Sequence, residues 1–189
     1  MKIIRLRSTF ARPADNTAYQ AGDEISNNAT AGSVVRPTFD LAGFRSGRIV
    51  AAAIDLTAAS GDVVTTASDF ELMIFRAADV PAAVGDNVTN PITAAQRALA
   101  VAAFRFDDTG WTGPLGTVAA GTSQHQAVMA HKVQPLASNV AQSPWPAGFF
   151  FNFDGQTTAT FTAVLRALAA WTPTGIANTF GITLDIEAE

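Results

Sequence analysis

A chain of 189 residues, 48% of them hydrophobic, suits one domain with a sizeable core and excludes an intrinsically disordered protein. Only 15% of residues are charged and the net charge is −4, with Lys2, Arg5, Arg7 and Arg12 the nearest thing to a basic run, so no cationic face for nucleic acid is expected. Cysteine is absent, which removes disulfides, thiolate nucleophiles and cysteine zinc sites.

The dominant period is two. Ile4, Leu6 and Phe10 share one face of the first segment and Arg5, Arg7 and Thr9 the other, which predicts a half-buried strand or arm over residues 1–10. Charges break its apolar run, so it does not read as a signal peptide. The stretch Thr9 to Ile25 follows, with a Pro-Ala-Asp-Asn turn and an Ala-Gly-Asp turn on either side of Tyr19, the single tyrosine. Ser33–Phe39 is a candidate strand that Pro37 demotes to an edge or an end. Arg48–Thr57 predicts a strand with Val50, Ala52, Ile54 and Leu56 on one face. A turn at 59–62 precedes a strand over Asp69–Arg76, with Phe70, Leu72 and Ile74 together.

Residues 77–98 predict a long loop, with one helical turn over Thr93–Ala98 capped by Thr93. Strands are expected at Leu99–Phe106 and Ala127–Gln134, and long loops near 107–126 and 135–147. Phe149, Phe151 and Phe153 alternate with Phe150, Asn152 and Asp154 in a further strand, and Asp154-Gly155 opens a tight turn. Residues 163–171 contain good helix formers, but the Thr-Ala-Thr-Phe-Thr lead-in and the short turn before it predict a strand over Thr158–Trp171. Arg166 interrupts its apolar run, and no stretch is long enough to cross a bilayer. The closing strand alternates Phe180, Ile182, Leu184 and Ile186 with Gly181, Thr183, Asp185 and Glu187. Eight to ten strands joined by Gly/Pro turns predict an all-β fold over 1–189: an antiparallel two-sheet sandwich, jelly-roll-like, with long loops.

Catalytic constellations are weak. Asp108-Thr109-Gly110 spells the aspartic-protease tripeptide, which needs a second such aspartate, but its polar setting reads as turn chemistry at a strand end. His125 and His131 lack the spacing of a metal pair, and His131 reads as a partly buried strand residue. Asp79, Asp86 and Asn87 match no calcium-loop spacing. Asn28-Ala-Thr and Asn87-Val-Thr carry no weight without a secretory signal. No enzyme activity, metal or cofactor is expected. Trp111 and Trp145 each sit in a loop, Trp145 between Pro144 and Pro146; such a stiff aromatic either anchors a partner or a sugar ring, or plugs an end of the sandwich. A surface poor in charge and rich in Ala and Thr suits either a chain packed against other subunits or an ordinary neutral β domain.

Arg12-Pro13-Ala14-Asp15-Asn16-Thr17-Ala18-Tyr19-Gln20-Ala21-Gly22-Asp23-Glu24-Ile25 resembles the start of a group of tailed-bacteriophage virion proteins. Phe70–Phe75, Pro81 with Gly85-Asp86-Asn87, and Trp171-Thr-Pro-Thr-Gly175 with the strand to Glu187 are similar too, whereas Gly110–Pro146 departs from the pattern. The resemblance implies a capsid decoration (cement) protein: a homotrimer on the outer surface of the virion, bound to the major capsid protein, assembled in the host cytoplasm, without catalysis, nucleic acid or membrane. A carbohydrate-binding, fibre or baseplate module is the alternative. Candidate contact residues are Trp111, Trp145, Tyr19, Arg5 and Arg7.

Overall fold

Alternation draws the first segment into β1 (Lys2–Ala11), whose even-numbered residues turn inward and end on the buried Phe10. A computed structural model describes residues 2–41, 43–57, 69–106, 149–155, 158–173 and 177–188, and the backbone of one further strand, His125–Ala130.

Two antiparallel sheets pack face to face. The first contains β1, β4 (Ser46–Thr57), β8 (His125–Ala130), β9 (Phe149–Asn152) and β11 (Thr179–Ala188), in the order β1-β11-β4-β8. β9 also pairs with β4, continuing the line of β8. The second sheet contains β2 (Asp23–Ile25), β3 (Thr38–Asp40), β5 (Phe70–Arg76), β6 (Val88–Thr89), β7 (Ala102–Phe106) and β10 (Thr160–Ala167). Its order is β6-β2-β10-β5-β7, with β3 also on β10. β1 lies within its own sheet, paired with β11 from Lys2↔Ala188 to Ala11↔Thr179.

The inner core is aromatic. Phe151 meets Phe153 and Phe161 edge to face in one group; in another, Phe70, Trp171 and Phe180 meet edge to face and Phe10 stacks on Phe180. β5 and β10 are buried on both faces, because a second cluster lies outside the second sheet. Met73, Phe75, Ala103 and Val164 are covered there by Val80, Ile92 and Ala100 from the 77–101 connection. The long loop expected at 77–98 is thus a strap over a sheet face. Its helical turn α1 (Ala94–Ala98) starts as expected: Thr93 and Gln96 each bond the other's backbone in a capping box.

Four expectations need correction. The alternation placed Val50 inward, but the register shifts between Asp185 and Ile186, and Val50 becomes the extra residue of a bulge. Ile49 is consequently the buried residue there and Val50 is half-buried. Ser33–Phe39 yields strand only at Thr38–Asp40, after a 3-10 turn at Ala31–Ser33, since Pro37 cannot donate to a ladder. β7 begins at Ala102, because Leu99 ends the helical turn. β10 is a strand as expected but stops at Ala167; Trp171 makes a single bridge to Tyr19.

β8 begins at His125, inside the loop expected near 107–126; the rest of that loop, the turn at 59–62, the tripeptide 108–110, Trp111, His131, Trp145, the loop near 135–147 and the end of the strand expected at Ala127–Gln134 lie outside the described residues. So does the side chain of His125.

Candidate functional site

The opening stretch forms a junction between three distant segments. Tyr19 exchanges backbone hydrogen bonds with Trp171, at 2.8 and 3.2 Å, and their rings stack 5.1 Å apart. Its hydroxyl donates to Asp86 Oδ2 at 2.6 Å, while Asp86 Oδ1 accepts from the Ser26 amide at 2.8 Å. Arg12 is buried beneath this pair. Its terminal nitrogens donate to the carbonyls of Pro13 and Asp15, and its guanidinium lies 5.8 Å from the Tyr19 ring and 5.9 Å from the Trp171 ring. The strap enters through Gly85, whose φ of +106° suits glycine and whose missing Cβ would collide with the Ala29 carbonyl.

Tyr19 is fully buried, so its ring is not presented to a partner, and the sequence-based assignment as a contact residue is corrected. Its interest is architectural. Burial, reinforced by Asp86, pushes the Tyr19 hydroxyl far up, and burial pushes the Asp86 carboxyl above its ordinary range despite the hydrogen bonds from Ser26 and Tyr19. Through these two bonds Asp86 clamps the strap to the opening stretch at Tyr19 and to Ser26 just beyond it.

A second polar network ties the strap to the outer face of the second sheet. Glu24, Arg166, Glu71 and Arg105 stand in one cross-strand row of alternating charge. Arg36 grips Glu24 through two 2.7 Å bonds, and Asn90 also donates to Glu24. Arg166 joins Glu71 to the Asn90 carbonyl, and Arg97 of α1 reaches Glu71 from above. Burial pushes Glu71 up, but the bonds from Arg97 and Arg166 outweigh it and hold the carboxyl below its ordinary range.

The outer face of the first sheet is a different surface. Arg5 forms a bidentate pair with Asp185 at 2.7 and 2.9 Å, which holds the Asp185 carboxyl low. Arg7 reaches over β11 to Asp55 on β4 at 2.6 Å. Gly181 makes that crossing possible, since a Cβ there would strike both groups. Arg48 pairs with Glu187. Between these pairs the face carries Ala51, Ala53 and Thr183, so its relief is low. Ile3 and Phe150, each 72% exposed, stand at its two flanks.

Arg5 and Arg7 are therefore brought together on one solvent-facing sheet, as their parity in the sequence predicted. Asp55, Asp185, Glu187, Arg48, Ile3 and Phe150 were missed. Parity also put Phe150 with Asn152 and Asp154, away from the core, but which strand stood beside it was not readable. Among the described residues no group of acidic or histidine side chains is placed to hold a metal, and no helix is long and apolar enough to cross a membrane. Comparison with known proteins finds no family model that matches the chain and no curated relative.

Proposed function

We propose that the chain is a capsid decoration (cement) protein of a tailed bacteriophage, which binds the outside of the major capsid protein lattice and stabilises the head. One observation carries this reading. The segments that resemble such virion proteins interlock at one junction: Arg12 and Tyr19 from the opening stretch, Asp86 from the strap, and Trp171 before the last strand. Three generic loop segments would have no reason to meet, whereas an interdependent unit is the sort of feature that a shared architecture keeps together.

The strand order fits a jelly roll, with first and last strands adjacent and a second sheet built from the strands between them. A stiff sandwich of this kind presents faces and end loops to several neighbours at once, and many identical weak contacts then add through multivalency. The reading assigns no catalysis, cofactor, nucleic acid or membrane partner, and the resemblance implies a trimer on the lattice.

The test is co-sedimentation of the purified protein with phage heads that lack it, followed by heating of the pelleted heads. Saturable pelleting and a higher temperature of DNA release are expected. Protein that stays in the supernatant at saturating concentration overturns the reading and moves the search to glycan binding by Trp111 and Trp145.

A further inference from the structure

The pairing register of the first sheet places Ile3 of β1 beside Glu187 of β11, Glu187 beside Arg48 of β4, and Arg48 beside Phe150 of β9. Residues opposite one another in a ladder share a face, so these four side chains form one row of about 14 Å across the open sheet. The row reads apolar, acidic, basic, apolar. The bulge at Val50 is what brings Arg48 onto this face alongside Ala51 and Ala53.

Such a row is its own complement. A two-fold axis lying in the face, along the strands and midway between β11 and β4, sets Ile3 against the Phe150 of a second copy. The same rotation sets Glu187 against the second copy's Arg48. We propose that this face is an isologous interface between two copies of the chain, with Ile3 and Phe150 as its apolar contacts and Arg48 and Glu187 as its charged centre.

Three features favour a second copy as the occupant. The charge sequence is antisymmetric about the axis while the apolar ends are symmetric, which is the condition a two-fold contact imposes. Arg48 engages Glu187 of its own chain through Nε, and among the described residues no other carboxylate takes its terminal nitrogens, which can bridge to a second one. Thr183, Ala51 and Ala53 are small, so the strip of β11 and β4 between the row and the Arg7–Asp55 pair stays low beneath a second sheet. The open edge of β1 suits self-pairing less well: registers centred on its middle put Arg7 opposite Arg7, or Arg5 opposite Arg7, of the copy.

The inference does not rest on the capsid reading, because its test needs no heads. Mass in solution is measured by sedimentation for the full chain. An even number of copies is expected, either a dimer or a trimer doubled to a hexamer, and Phe150→Ser should weaken the two-fold step by about 10- to 30-fold. The charges allow a sharper experiment. Arg48→Glu and Glu187→Arg should each abolish the step when alone, since each sets like charges against each other across the axis. An equimolar mixture of the two variants should recover it, because in the mixed pair every acid again meets a base.

A misfolded variant would not be rescued by mixing, so recovery reports the interface itself. A wild-type monomer or trimer, or an even-numbered assembly indifferent to these substitutions, overturns the proposal. Failure to bind heads with the even-numbered mass intact would overturn the capsid reading alone.

Discussion

Asp86 is a buried carboxylate whose nearest donors are one phenol and one amide, and the cost of that arrangement is readable through pH. Its pKa in the folded chain is raised above the ordinary 3.8, burial being the chief cause. The folded state then holds a proton that the unfolded state has already released. Stability from this group is therefore fully present below pH 3.8 and is lost as pH rises through the folded value. Tyr19→Phe removes the phenolic donor, leaves the ionised carboxylate poorly satisfied and shifts that loss to higher pH. At neutral pH the substitution should cost about 2 kcal/mol, or about 4–8 °C in Tm for a domain of this size. The gap from wild type should narrow in acid, where Asp86 is protonated in both proteins. A gap independent of pH from thermal melts at several pH values would rule out this hydrogen bond as the source. Asp86→Asn should remove this part of the profile, because the buried carboxyl that carries it no longer titrates.

The strap shows how an element without regular structure is held by a few charges. Arg97 of α1 and Arg166 of β10 converge on Glu71, so Glu71→Gln should release the strap from one side while leaving the apolar cluster under Ile92 in place. Breaking a largely buried pair costs about 3 kcal/mol at neutral pH. Because the folded pKa of Glu71 is lowered, its contribution is complete above the ordinary 4.5 and disappears as pH falls through the folded value. Hydrogen exchange should show the amides of Ala100 and Val101 opening first in the variant, with those of β11 little changed; uniform acceleration would mean that the strap and sheets open together.

How legible these elements were in the sequence varied for physical reasons. The turn chemistry before Thr158 outweighed the helix propensity within residues 163–171, and β10 was readable as far as Ala167. Arg166 was visible as a break in an apolar run, but not as a partner of Glu71, because pairing across a sheet leaves no local trace. The bulge at Val50 was hidden since Val50 is apolar and continues the alternation; only the register against β11 shows that Ile49 takes the inward place. Arg5 and Arg7 were placed on the correct face by parity, whereas the carboxylates that meet them lie 180 and 48 residues away.

At the scale of the whole molecule, the sheet that carries the proposed interface is closed by its most distant pairing. β1 meets β11 along its full length, and Lys2 lies opposite Ala188. Bringing such strands together is entropically costly, and sandwiches dominated by distant pairings fold in milliseconds to seconds. The same geometry offers a way to test that cost. A short Gly-rich linker from Ala188 to Lys2 would turn the β1–β11 pair into a local hairpin, and new ends opened at the exposed Asp154-Gly155 turn would interrupt only the connection from β9 to β10.

Shortening the closed loop from nearly the whole chain to a few residues reduces the closure entropy by about 3 kcal/mol. If β1–β11 pairing belongs to the folding transition state, the permuted chain should refold up to about a hundredfold faster in stopped-flow dilution from urea, with its unfolding rate nearly unchanged. An unchanged refolding rate with slower unfolding would place that pairing after the barrier. The open sheet would then be completed last, by the strand that brings Ile3, Arg5 and Arg7 onto it.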